Sequence, residues 1–96
     1  MVKIYNHRPG IAREWIGMAN VFREKGNYDS AIIYGRKGLA EMEAYNDRPE
    51  MMKSYEILSS VYHHLGNNDS AYLYLLKHNT IKDSIDNKQL LLRLYK

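Results

Sequence analysis

GNYDSA, Gly26 to Ala31, is written again as GNNDSA, Gly66 to Ala71, forty positions later. A glycine readily takes the left-handed conformation that closes a helix. The asparagine after it can open the next helix by accepting a hydrogen bond from an otherwise unpaired first-turn amide. Asp29 and Asp69 then stand near the positive end of that second helix. Ala31 and Ala71 follow one turn later, where a methyl side chain lets another helix come close. Each hexapeptide is therefore a helix stop joined to a helix start, and writing it twice implies two helix-turn-helix units.

The repeat extends well outside the turn. Displaced by forty residues, the chain matches itself at Tyr5/Tyr45, Asn6/Asn46, Arg8/Arg48, Pro9/Pro49, Val21/Val61, Gly26/Gly66, Asn27/Asn67, Asp29/Asp69, Ser30/Ser70, Ala31/Ala71, Tyr34/Tyr74 and Lys37/Lys77. Such self-similarity at a fixed period is the signature of a repeat architecture. The units run from 5 to 44 and from 45 to 84, leaving 85 to 96 over. Ile11, Trp15, Met18 and Phe22 fall at spacings of four, three and four, and Met51, Tyr55, Leu58 and Tyr62 repeat them. That period puts each set on one helical stripe, which marks these side chains as the expected core. Pro9 and Pro49 sit near helix starts, where a missing N–H costs nothing. Helices are predicted near 9–25, 28–45, 49–65, 68–83 and 86–96, with no strand.

The chain of 96 residues is 45% apolar and 26% charged, with a formal net charge of +3. These values suit one globular domain with a thin core. No segment approaches the roughly 18 apolar residues of a membrane span, and the start MVKIYNHRPG has no signal-peptide apolar run. Zero cysteines remove disulfide and thiolate chemistry and leave both reducing and oxidising compartments open.

These residues resemble the tetratricopeptide repeat family, a helix-turn-helix with a W-x₂-L-G-x₂-Y…A-x₃-F…P pattern. Trp15, Met18, Ala19, Phe22, Gly26, Tyr28 and Ala31 fall at the family's places in the first unit. Tyr55, Leu58, Ser59, Tyr62, Gly66, Asn68 and Ala71 fill them in the second. The resemblance implies an all-α fold: two antiparallel helix-turn-helix repeats plus a C-terminal capping helix, forming a short right-handed α-solenoid. Three departures stand out. The period is six residues longer than the family's. Gly35 and Leu75 occupy the place of the second-helix aromatic, with Tyr34 and Tyr74 one position earlier. Gly38 keeps the later small residue, but His78 replaces it in the second unit. The long period and the closing Lys82-Asp83-Ser84 also resemble the sensory input regions of bacterial histidine kinases and transcriptional regulators.

Two units are fewer than a solenoid normally needs. IDNKQLLLRLYK, residues 85–96, carries Asp86 with Gln89 three positions on, in the manner of a capping box, and supplies Leu90, Leu91, Leu92, Leu94 and Tyr95 as apolar surface. Either this segment is a fifth helix lying on the second pair, or it self-associates with another copy or continues as a coiled coil in a longer chain. Unit one opens at Tyr5 without a capping sequence, as in a fragment of a larger protein.

GxSxG, HExxH, P-loop and GxGxxG motifs are absent from the sequence, so no catalytic residues and no cofactor are assigned. His63 and His64, adjacent on a helix, point about 100° apart and cannot share a metal, and His7 and His78 stand alone. Most of the nine tyrosines fall at packing positions, which disfavours base stacking. The family resemblance implies a protein-interaction scaffold whose concave face holds a peptide or partner helix. Carried over position by position, its groove residues are Arg13, Ile16, Asn20 and Arg23 from the first unit and Lys53, Glu56, Ser60 and His63 from the second. Arg13, Arg23 and Lys53 would make the groove positive and favour an acidic extended ligand. Ile16 stands where peptide-clamping relatives use a lysine. The alternative is a nucleic-acid-binding regulator using the same basic face, and steep salt dependence would distinguish it.

Overall fold

The structure, a computed structural model, describes residues 9–94. Tyr5, Asn6, His7 and Arg8, which open the expected first unit, lie outside the described residues, as do Tyr95 and Lys96. Four helices follow one another: α1 (Pro9–Glu24), α2 (Tyr28–Tyr45), α3 (Arg48–His64) and α4 (Asn68–Leu94). Among the described residues the fold is all-α, with no strand.

The three turns share one construction. Gly26 and Gly66 sit at φ 81° and Asn46 at φ 55°. At each, the left-handed residue donates its N–H to the carbonyl three back, and the next residue donates to the carbonyl five back, as in Asn27 N to Phe22 O at 2.8 Å, Asp47 N to Met42 O at 2.9 Å and Asn67 N to Tyr62 O at 2.9 Å. This pair of hydrogen bonds closes the helix end that would otherwise leave carbonyls unpaired. The residue that completes it also caps the next helix: the Asn27, Asp47 and Asn67 side chains accept from the amides of Ser30, Glu50 and Ser70. A helix thus stops and the next begins within three residues, which makes neighbours antiparallel.

Close approach follows from small residues. A Cβ placed on Gly38 would lie 2.5 Å from Ile16 Cγ1 and 3.1 Å from the Ala12 carbonyl oxygen, so α1 and α2 touch nearly backbone to backbone. Ala12, Ile16, Ala19, Ala31, Met42, Ile57 and Val61 form one buried cluster, and Leu39, Tyr55 and Leu58 a second between α2 and α3. Each fully buried Leu, Val or Met contributes about 1.5–3 kcal/mol. The departure noted at the second-helix aromatic has a simple outcome. Tyr34 stacks on Phe22 at 5.6 Å between ring centroids, and forty residues on Tyr74 stacks on Tyr62 at 5.8 Å. Lys37 lies over the Trp15 ring and Lys77 over Tyr55. Equivalent contacts therefore recur at the repeat interval.

Two expectations are corrected. The stripe Ile11, Trp15, Met18 and Phe22 is not uniformly core: Ile11 and Met18 are exposed while Trp15 and Phe22 are partly buried. Its counterpart in α3 is better covered, with Tyr55 and Leu58 buried, because α2 packs on that side of α3. Among the described residues there is also no separate fifth helix beginning at 86. α4 runs unbroken from Asn68 to Leu94. No glycine or proline interrupts it, and Asp86 pairs with Lys82 one turn back at 3.1 Å instead of capping a new helix. Leu90, Leu91, Leu92 and Leu94 are 52–69% exposed, so they do not cover the second pair as a cap.

Candidate functional site

α1 and α3 present one shared face, and seven of the eight sequence-derived groove residues have accessible side chains there. An open cleft of about 430 Å³ lies between the two helices, lined by Arg13, Asn20, Lys53 and Glu56 with the bare backbone of Gly17 at its floor. Glu56 also borders a second cleft, of about 520 Å³, that runs over Ser60 and His63 to Tyr72, Leu75 and His78 of α4. Leaving Gly17 without a side chain widens the first cleft, since no heavy atom lies within 4 Å of where its Cβ would be.

Ile16 is the exception. It borders the first cleft but is only 3% exposed, and its branched side chain fills the space left by Gly38. It belongs to the α1–α2 core and offers a ligand at most an edge, for the same reason that Gly38 exists: two helices so close need a filler on one side.

The groove is not simply positive. Arg13 meets Asp47 at 3.4 Å and Glu50 at 3.7 Å, and Lys53 meets the same Glu50 carboxylate at 3.4 Å. Arg23 is held otherwise: its guanidinium donates to Asn20 Oδ1 at 2.6 and 3.1 Å and reaches Ser60 Oγ at 3.5 Å, which ties α1 to α3 between the clefts. Arg23 also approaches Glu24 at 4.0 Å. With Asp47 and Glu50 paired to Arg13 and Lys53, and Glu56 lining the same cleft, the face is charged in both signs. Asp47 and Glu50 were not among the expected site residues. Their signal is the Asp-x-x-Glu spacing around Pro49, a helix-start signature that also delivers a carboxylate to the groove.

At the far end, His64 stacks on Tyr28 at 5.5 Å and its Nδ1 lies 2.9 Å from the Ser60 carbonyl. His63 stands edge-on to it at 5.9 Å and stays exposed. Among the described residues, no three His, Cys, Asp or Glu side chains cluster in a metal-binding arrangement, and no helix is long and apolar enough to cross a membrane. On the opposite side of α3, the Tyr55 hydroxyl donates to Glu43 at 3.0 Å. Burial and that carboxylate push the phenol up to about 12, and burial likewise raises Tyr74.

Protein-family models, curated proteins and solved structures were all compared with the chain, and none matches it.

Proposed function

We propose that this chain is a protein-interaction scaffold, a pair of tetratricopeptide-like units stacked as a short solenoid, whose α1–α3 face holds an extended peptide or a partner segment. One observation carries the reading: two open clefts meet at Glu56 along a face whose side chains are ordered by pairing with one another rather than converging on a single point. A small-molecule or catalytic pocket needs concavity and convergent polar groups. A charged first cleft joined to a second one of hydroxyls, histidines and apolar side chains suits the main-chain amides and mixed side chains of an extended segment. The paired cations also shift the expected ligand from a purely acidic segment to one of mixed charge. They favour a peptide over nucleic acid, whose binding draws on cations free to meet phosphates. Within this reading the chain serves as an adaptor or input segment of a bacterial signalling protein, a role that rests on the long repeat period and on Lys82-Asp83-Ser84.

The test is selection of random linear peptides on the intact chain, followed by binding to a variant carrying Lys53→Glu and Glu56→Lys. Both positions are exposed, so the loss is limited to the Lys53–Glu50 pair and should stay below about 1 kcal/mol. Loss of the selected peptides supports the groove; equal binding by the variant, or no peptide selected at all, refutes it.

A further inference from the structure

The packing of α3 against α2 is half of a pattern that the duplicated sequence carries to both outer faces of the molecule. Leu58 of α3 projects at the bare Gly35 of α2, 3.1 Å from where a Cβ would be, and Met51 packs on the same Leu39–Tyr55–Leu58 cluster. The Tyr55 hydroxyl closes the contact on Glu43. Forty residues before Met51, Tyr55 and Leu58 stand Ile11, Trp15 and Met18 of α1, and Ile11 and Met18 are 37% and 39% exposed. Forty residues after Gly35, Arg36 and Glu43 stand Leu75, Leu76 and Asp83 of α4, with the two leucines 46% and 45% exposed. One side of the molecule thus displays the inserting face of the pattern and the other its receiving face, each with large apolar side chains in water.

We infer that α1 of one copy docks on α4 of a second copy as α3 docks on α2, with Met18 against Leu75 and Leu76 and the Trp15 indole N–H donating to Asp83. The occupant is a second copy because both halves of the contact are present in one chain and the stack begun by α2 and α3 continues through it. Indole is a donor as phenol is, and a carboxylate stands at both acceptor positions, so the polar closure is kept. The apolar fit is looser than the template. Leu75 fills the place that Gly35 leaves empty, and Asn79 replaces Leu39. Unbranched Met18 adapts to the shallower surface. Association is therefore weak and concentration-dependent. The two faces differ, so the contact is heterologous and does not close on itself: copies add head to tail.

Sedimentation of the full chain across a dilution series reads this out. The weight-average mass should rise with concentration. Met18→Glu and Leu75→Glu should each return it to the monomer, and an equimolar mixture of the two variants should recover a dimer that grows no further, since one intact face of each kind remains. The cysteine-free chain gives a second measurement: a Met18→Cys, Leu75→Cys double variant should form a disulfide-linked ladder under oxidation. If either glutamate variant loses helical circular dichroism, the ladder decides, and its absence overturns the inference. A wild-type chain that stays monomeric throughout overturns it too. So does association that survives both glutamate substitutions but is lost with Leu91→Glu and Leu94→Glu, which would assign the contact to the tip of α4.

Discussion

Gly38 gives the sharpest test of how the first helix pair is held. In Gly38→Ala the new methyl lies 2.5 Å from Ile16 Cγ1 and 3.1 Å from the Ala12 carbonyl oxygen. The first atom belongs to a β-branched side chain with little rotamer freedom, and the second is backbone, so relief requires the helices to move apart. Overpacking of this kind costs about 1–3 kcal/mol. Replacing a helical glycine by alanine returns about 0.8–1 kcal/mol. The net expectation is a loss of about 0–2 kcal/mol. Gly17→Ala is the internal control: the same substitution in mid-α1, with nothing within 4 Å, should stabilise by about 0.8–1 kcal/mol. Thermal unfolding followed by circular dichroism separates the two variants, because about 1 kcal/mol corresponds to roughly 4–8 °C at this size. Gly17→Ala should melt higher than the parent and Gly38→Ala no higher. Ile16→Ala, costing about 2–5 kcal/mol alone, should cost less in the Gly38→Ala background, where the methyl occupies part of the cavity. If Gly38→Ala melts as high as Gly17→Ala, the close approach is not what the packing implies.

Tyr55→Phe should cost about 0.5–1.5 kcal/mol at neutral pH through the lost bond to Glu43. Since the folded-state pKa of Tyr55 is raised to about 12 from 10.0, its contribution is complete below pH 10 and disappears as pH climbs through 12, a change on the order of 2 kcal/mol. Urea unfolding at several alkaline pH values should then show a shallower decline for Tyr55→Phe than for the parent, and parallel declines would disprove the assignment. A chain ending at Asp86 should lose less than about 1 kcal/mol in urea unfolding, because the leucines it removes are more than half exposed; a loss of several kcal/mol would mean that they are covered. Asn46→Ala should lower stability by about 1–2 kcal/mol through the left-handed backbone at that turn, whereas Asn46→Gly should not, and equal effects would remove the conformational explanation.

Much of this architecture is written in local chemistry, and the errors have a common cause. The stops at Gly26 and Gly66 and the starts at Asn27 and Asn67 depend on residues within one turn of each other, so they were legible, and helices α1 to α3 fall within a residue of expectation at each end. Burial depends on what lies opposite. Ile11 and Met18 repeat the spacing of Met51 and Leu58 yet are exposed, because among the described residues the helix that shields the second pair, α2, has no counterpart packed on that side of α1. Ile16 looked groove-facing because its spacing from Arg13 and Asn20 is correct, but the absent side chain of Gly38 across the helix pair draws it inward. The Asp86 capping signal failed because an interior Lys82–Asp86 pair uses the same carboxylate. The shared face was readable as a set of positions; its charge balance was not, since Glu50 pairs with Arg13 on α1, thirty-seven residues earlier in the chain.

α4 has a mechanical consequence. Its first half is clamped to α3, with the last polar tie between Arg48 and Ser84 at 3.4 Å, and beyond Ile85 nine further residues run on to Leu94 as the same rigid rod. At 1.5 Å per residue that overhang is about 14 Å. A tilt of about 10° in the clamped half displaces its tip by roughly 2–3 Å. Because the second cleft is walled by α3 and α4 together, any change in the angle between these two helices would be magnified along the overhang.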